Sequence, residues 1–68
     1  MNILGSKLRR LREATGFTQA EFAAELQRQG WDIDRVVLVR LEAGKRTLTD
    51  YETKFILRVV GGKWADLD

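Results

Sequence analysis

In the first part of the chain the apolar positions follow a helical period. Leu4, Leu8, Leu11 and Ala14 recur at spacings of four, three and three, which sets them along one side of a 3.6-residue helix. Lys7, Arg9, Arg10 and Glu13 take the other sides. Gly16 follows the last turn, where a left-handed cap comes without steric cost only if there is no side chain. The next element opens on Thr18-Gln19-Ala20-Glu21, a capping-box pattern in which the threonine accepts from a first-turn N–H and the glutamate reaches back to the threonine N–H. Phe17 and Phe22 bracket that box at the spacing of a hydrophobic staple, and Ala23 and Leu26 carry the buried side onward. So little chain separates the first helix from this cap that the two must pack as neighbours.

Gln29-Gly30-Trp31-Asp32 predicts a helix end and a turn, with Trp31 plugging the core or its rim. Asp34, or alternatively Asp32, then caps a third helix that runs to about Glu42, with Leu38 and Leu41 at core spacing and Gly44 as its stop. The run Val36-Val37-Leu38-Val39 also fits a buried strand. The helical reading is preferred because Arg35, Arg40, Glu42 and the terminating Gly44 fit it, and because a lone strand would find no partner in the chain. Thr49-Asp50-Tyr51-Glu52 is a second capping box opening a helix to about Val60, with Phe55, Ile56, Val59 and Val60 as its apolar side and Gly61-Gly62 as its stop. Trp64 and Leu67 are expected to close the core as one short final turn. The pattern therefore predicts an all-α, compact four- to five-helix domain occupying residues 1–68 as a single unit.

Composition narrows the chemistry. With 68 residues, 44% hydrophobic and 32% charged, the chain is a folded domain rather than a disordered one. A domain this small buries only ~60% of its unfolded surface, so a compact core and good caps have to supply stability, with a partner subunit as an optional further source. There is no histidine and no cysteine, which removes disulfides, thiolate ligands, the usual base near neutral pH and the commonest metal ligand. The remaining carboxylates, hydroxyls, lysines and Tyr51 suggest no paired-carboxylate cleft, and Gly61-Gly62 reads as a helix stop rather than a phosphate loop. No catalytic residue, cofactor, metal or small-molecule ligand is expected. The apolar runs Val36–Val39 and Phe55–Leu57 are too short to span a bilayer. The first six residues lack the basic region and apolar run of a secretion signal, so a cytoplasmic location is the expectation.

The formal charge of +2 does not single out a nucleic-acid partner, but its distribution says more. Residues 1–34 carry five basic and five acidic side chains, and residues 35–68 carry seven and five. The excess gathers around residues 35–46, where it would matter if that segment faced a duplex. Three stretches then stand in a recognisable order: Leu8-Arg9-Arg10-Leu11-Arg12-Glu13-Ala14-Thr15-Gly16-Phe17-Thr18-Gln19-Ala20-Glu21-Phe22-Ala23, Arg40-Leu41-Glu42-Ala43-Gly44-Lys45-Arg46 and Thr49-Asp50-Tyr51-Glu52. Over roughly residues 7–67 the sequence resembles the helix-turn-helix family of phage Cro and repressor proteins, often called XRE-like. Gln27–Asp34 is longer than the tight turn of the shortest members and is similar to a longer-turn subgroup. Val36, Val37 and Val39 stand where members usually carry more polar or smaller side chains.

The resemblance implies a lambda-repressor-like fold and a sequence-specific regulator of transcription that binds double-stranded DNA, expected to be a repressor acting as a homodimer on a palindromic operator. By matching position, Gln19 would bond a phosphate at the start of the second helix. Arg35, Val36, Val39 and Arg40 would face base edges, the arginines reading guanine and the valines packing thymine methyls. Lys45 and Arg46 would clamp phosphates, and Arg12 would pair with Glu42 to tie the first helix to the end of the third. Each has a plainer explanation: Gln19 as an ordinary first-turn residue, Arg35 and Arg40 as solvated helix charges, Lys45-Arg46 as a solubilising turn. The valine trio also supports an alternative, a protein-interaction module of antitoxin-like or regulatory-adaptor kind that uses the third helix.

Overall fold

Two capping boxes and an aspartate cap set where the last three of the four described helices begin. The computed structural model describes residues 5–61, which form α1 (Gly5–Thr15), α2 (Gln19–Arg28), α3 (Arg35–Glu42) and α4 (Asp50–Val60). At the start of α2, Thr18 Oγ1 accepts from the Glu21 N–H (3.1 Å) while the Glu21 carboxylate accepts from the Thr18 N–H (2.8 Å). Thr49 and Glu52 repeat the arrangement at α4, both bonds at 3.1 Å. Two otherwise orphaned donors are satisfied at each helix start. The Phe17 and Phe22 rings meet across the first box at 6.2 Å between centroids.

The start of α3 falls at Asp34, not Asp32. Asp34 is extended and its Oδ1 accepts from the Val37 N–H at 2.9 Å. The valine-rich run is therefore helical. β-Branched residues cost only a few tenths of a kcal/mol each in a helix, and that is outweighed by the burial of Leu38 (0% exposed) and Leu41 (2%). The helices α2 and α3 end alike. Gly30 (φ +105°) donates to the Gln27 carbonyl and Trp31 to Leu26, while Gly44 (φ +75°) donates to Leu41 and Lys45 to Arg40. These are Schellman closures, which need a left-handed residue that glycine supplies without strain. Trp31 thereby leaves α2 at the core rim, its ring 6.0 Å from that of Phe55.

Both α1 and α2 pack against α3 and α4. The core takes Leu8 and Leu11 from α1, Phe22, Ala23 and Leu26 from α2, Leu38 and Leu41 from α3, and Phe55, Ile56 and Val60 from α4. Two further members, Ile33 and Leu48, come from the connections. The Gln27 side-chain amide donates to the Ile33 carbonyl and so holds the α2–α3 connection. Ala14, expected on the buried side of the first helix, is exposed, and Thr15 is half-buried instead. At ~100° per residue Thr15 falls between Leu8 and Leu11, whereas Ala14 lies about 60° beyond Leu11. Leu4 and the final turn expected at Trp64 and Leu67 lie outside the described residues. Among the described residues no helix is long and apolar enough to cross a membrane.

Gly5 sets how closely α1 meets α3. A Cβ there would lie 2.6 Å from the Glu42 carbonyl oxygen, 2.7 Å from that of Leu41 and 2.9 Å from the Gly44 nitrogen. The positive end of α1 thus abuts the carbonyl end of α3, a favourable meeting of helix dipoles that only a residue without a side chain permits.

Candidate nucleic-acid interface

With Leu38 and Leu41 turned into the core, helical geometry fixes what α3 shows outward. At ~100° per residue, Arg35, Val39, Val36 and Arg40 follow one another across an arc of about 140° on the side away from those leucines. Val36 is 66% exposed and Val39 39%, and both arginines are exposed. Two apolar side chains with a cation on either flank make up this surface. Among the described residues, Arg35, Arg40 and Lys45 take part in no ion pair.

The start of α2 borders that surface. Gln19 lines a shallow cleft with Arg9 and Arg12 of α1 and with Val39, Glu42 and Ala43 at the end of α3. It also lines an adjoining hollow with Thr18, Ala20 and Arg35. Gln19 therefore stands along the Arg35–Val39–Glu42 edge of α3, and Arg40 lies on the far edge, about 100° beyond Val39. The first-turn N–H groups of α2 open on the same side, where a helix start favours an anion.

Beneath the cleft lies an ion pair. Arg12 donates to Glu42 through Nε (2.6 Å) and NH2 (3.0 Å), and its remaining NH1 donates to the Phe17 carbonyl (3.0 Å). The two side chains are only 12% and 5% exposed. This bidentate contact fixes α1 against the end of α3 and holds the 16–18 turn as well. The hydrogen bond and charge of Glu42 raise the already high arginine pKa, against the opposing effect of burial, so Arg12 stays cationic at any pH of interest. Glu42 Oε1 also accepts from Gln19 Nε2 at 3.3 Å. The amide expected to meet a phosphate is thus already tied, by one hydrogen, to a carboxylate of α3.

Beyond α3, Lys45 is exposed, whereas Arg46 turns to α4 and donates to Glu52 from NH1 (3.2 Å) and NH2 (2.7 Å). Glu52 is 9% exposed. Burial pushes its pKa up, but the Arg46 hydrogen bonds, the Thr49 N–H and the Arg46 charge outweigh that and leave it below its ordinary value. Sequence reasoning gave Glu52 a capping role only and did not find this pair. Arg9 was also missed as a wall of the Gln19 cleft; its place one turn before Arg12, on the same side of α1, is the signal that could have found it. Arg9 itself makes only a loose, exposed contact with Glu13 at 3.5 Å, which leaves its charge available.

A family model described as Helix-turn-helix domain matches residues 3–61. No curated protein and no solved structure matches the chain. The match spans all four helices and agrees with the Cro- and repressor-like resemblance, in which the second helix of the motif enters the major groove and the first crosses the backbone. In chain order α2 corresponds to the first helix of that motif and α3 to the second. The chain belongs to the helix-turn-helix domain family, whose members are DNA-binding domains.

Proposed function

We propose that residues 1–68 act as one sequence-specific DNA-binding domain of a cytoplasmic transcriptional regulator that inserts α3 into the major groove. The observation that carries this reading is the outward set Arg35, Val36, Val39 and Arg40 on one side of a rigid helix, with Gln19 at its border. Arg35 and Arg40 present guanidinium forks suited to guanine O6 and N7, and Val36 and Val39 suit thymine methyls. Gln19, Lys45 and Arg46 serve the phosphates, Arg46 from its bridge to Glu52. The work is binding rather than catalysis, with neither cofactor nor small-molecule ligand.

Dimerisation follows from size. An eight-residue helix is about 12 Å long, enough to follow roughly four base pairs at 3.4 Å each. Two copies related by a two-fold axis double the sequence read and require a palindromic operator. Where such a site overlaps a promoter, occupancy excludes the polymerase, and repression is the output we propose.

Selection from random duplexes tests this reading, run with the wild type and with Arg40→Ala. The expected result is an enriched inverted repeat whose preference relaxes at one base pair per half-site in the variant. Failure to enrich any duplex at low salt would overturn it. The exposure of Val36 favours one other reading, a protein-binding surface on α3. Affinity for DNA falls steeply as salt rises, whereas a valine-mediated protein contact does not.

A further inference from the structure

We propose that Glu42 is a positioning residue for DNA binding: it holds one hydrogen of the Gln19 side-chain amide so that the other is presented to a backbone phosphate. This inference rests on the DNA-binding reading above and adds a role for a carboxylate that would otherwise be only half of a structural ion pair.

A carboxylate beside a surface that meets a polyanion is an apparent liability. Two features remove it. Glu42 is 95% enclosed, its side chain being 5% exposed, and Arg12 neutralises it through two hydrogen bonds. What remains directed at the cleft is acceptor capacity on Oε1, which takes Arg12 NH2 at 3.0 Å and Gln19 Nε2 at 3.3 Å. An ionised carboxylate can only accept, so it dictates which end of the amide faces it. An unrestrained glutamine would turn its oxygen or its nitrogen outward with similar ease, and an outward oxygen repels a phosphate. Held by Glu42, Gln19 keeps its nitrogen in the cleft.

A primary amide has two N–H bonds about 120° apart, and Glu42 occupies one. The other is unoccupied by any side chain among the described residues. Arg9, Arg12 and Arg35 line the space around it, so its surroundings favour an anion. Because Oε1 is shared between Arg12 and Gln19, the orientation of the amide depends on how Arg12 loads that oxygen. The contact to DNA is thereby linked through Glu42 to the packing of α1 on α3.

The test uses the duplex recovered by selection. In the 15N-labelled wild-type protein, one of the two Gln19 side-chain amide protons shifts on adding the duplex. The shift disappears when a single methylphosphonate replaces the contacted phosphate in each half-site. Gln19→Ala lowers affinity about tenfold, as expected for a hydrogen bond to a charged group. Glu42→Gln lowers it by a similar factor in the wild-type background but by less than twofold in the Gln19→Ala background. Fully additive losses would overturn the proposal. Should Glu42→Gln fail to fold, the wild-type amide signals decide: a Gln19 pair unmoved by a duplex that binds overturns it. Absence of any bound duplex would instead count against the DNA-binding reading, which separates the two failures.

Discussion

Replacing Gly5 with alanine sets two rules of protein stability against each other. Alanine is the better helix former, by up to about 1 kcal/mol inside a helix and less at its first position, so propensity alone predicts a modest gain. The surroundings predict the reverse. The added methyl carbon would stand 2.6 and 2.7 Å from the carbonyl oxygens of Glu42 and Leu41, roughly 0.7 Å inside the ~3.3 Å at which carbon and carbonyl oxygen begin to touch comfortably. Both atoms are backbone, in the last turn of α3, where Gly44 already donates to Leu41. Relief must therefore come from moving α1 away from α3, which loosens Leu8 and Leu11 in the core and strains the Arg12–Glu42 bonds. Overpacking of this kind costs about 1–3 kcal/mol, leaving a net loss near 1–2 kcal/mol after the propensity gain. For a domain of this size each kcal/mol is about 4–8 °C of Tm, so Gly5→Ala should melt roughly 5–15 °C below the wild type. Thermal unfolding followed by far-UV circular dichroism measures this. An unchanged or raised Tm would refute the close meeting of α1 with the end of α3.

Three further outcomes follow from the same geometry. Arg12→Leu leaves the enclosed Glu42 carboxylate without its cation, with only the Gln19 amide still donating to it, and removes the side-chain donor to the Phe17 carbonyl. It should cost about 3 kcal/mol of a total near 5 kcal/mol in urea unfolding, and a loss below about 0.5 kcal/mol would mean the pair is solvated. The folded protein holds the Glu52 pKa below its unfolded value near 4.3, so the stability it contributes is complete above that pH and fades as pH falls through the depressed folded value. The Tm of the wild type should accordingly drop more steeply than that of Glu52→Gln on acidification to about pH 3, and parallel slopes would refute the Arg46–Glu52 contact. Exchanging single thymines of the selected site for deoxyuridine removes one methyl each, worth about 0.8 kcal/mol or near fourfold in Kd where a valine packs on it; Val36→Ala should abolish that sensitivity at its position and leave it elsewhere.

What could be read from the chain was whatever depends on neighbours in sequence. The boxes at Thr18 and Thr49 and the stops at Gly16, Gly44 and Gly61 are short-range devices, and the helices start and end at them. Asp32 and Asp34 were less easily separated, because either can cap, and the choice is made by which start buries Leu38 and Leu41. Ile33 and Leu48 escaped notice because connections have no period to betray a core position. Gly5 reads as an indifferent residue until the end of α3 is placed beside it. The bond from Gln19 to Glu42 joins residues 23 positions apart, and Arg46 with Glu52 spans a connection whose path no pattern gives. The family resemblance supplied the Arg12–Glu42 pairing that spacing alone could not.

Intermolecular nuclear Overhauser contacts from the γ-methyls of Val36 and Val39 in the complex with the selected duplex would decide whether α3 reads DNA. Those methyls should show contacts to thymine C5 methyls or cytosine H5 protons, which lie only on the major-groove edge of the bases. A bound duplex whose protons are seen by neither valine, or valine contacts only to a second protein chain, would contradict the insertion of α3 into the groove.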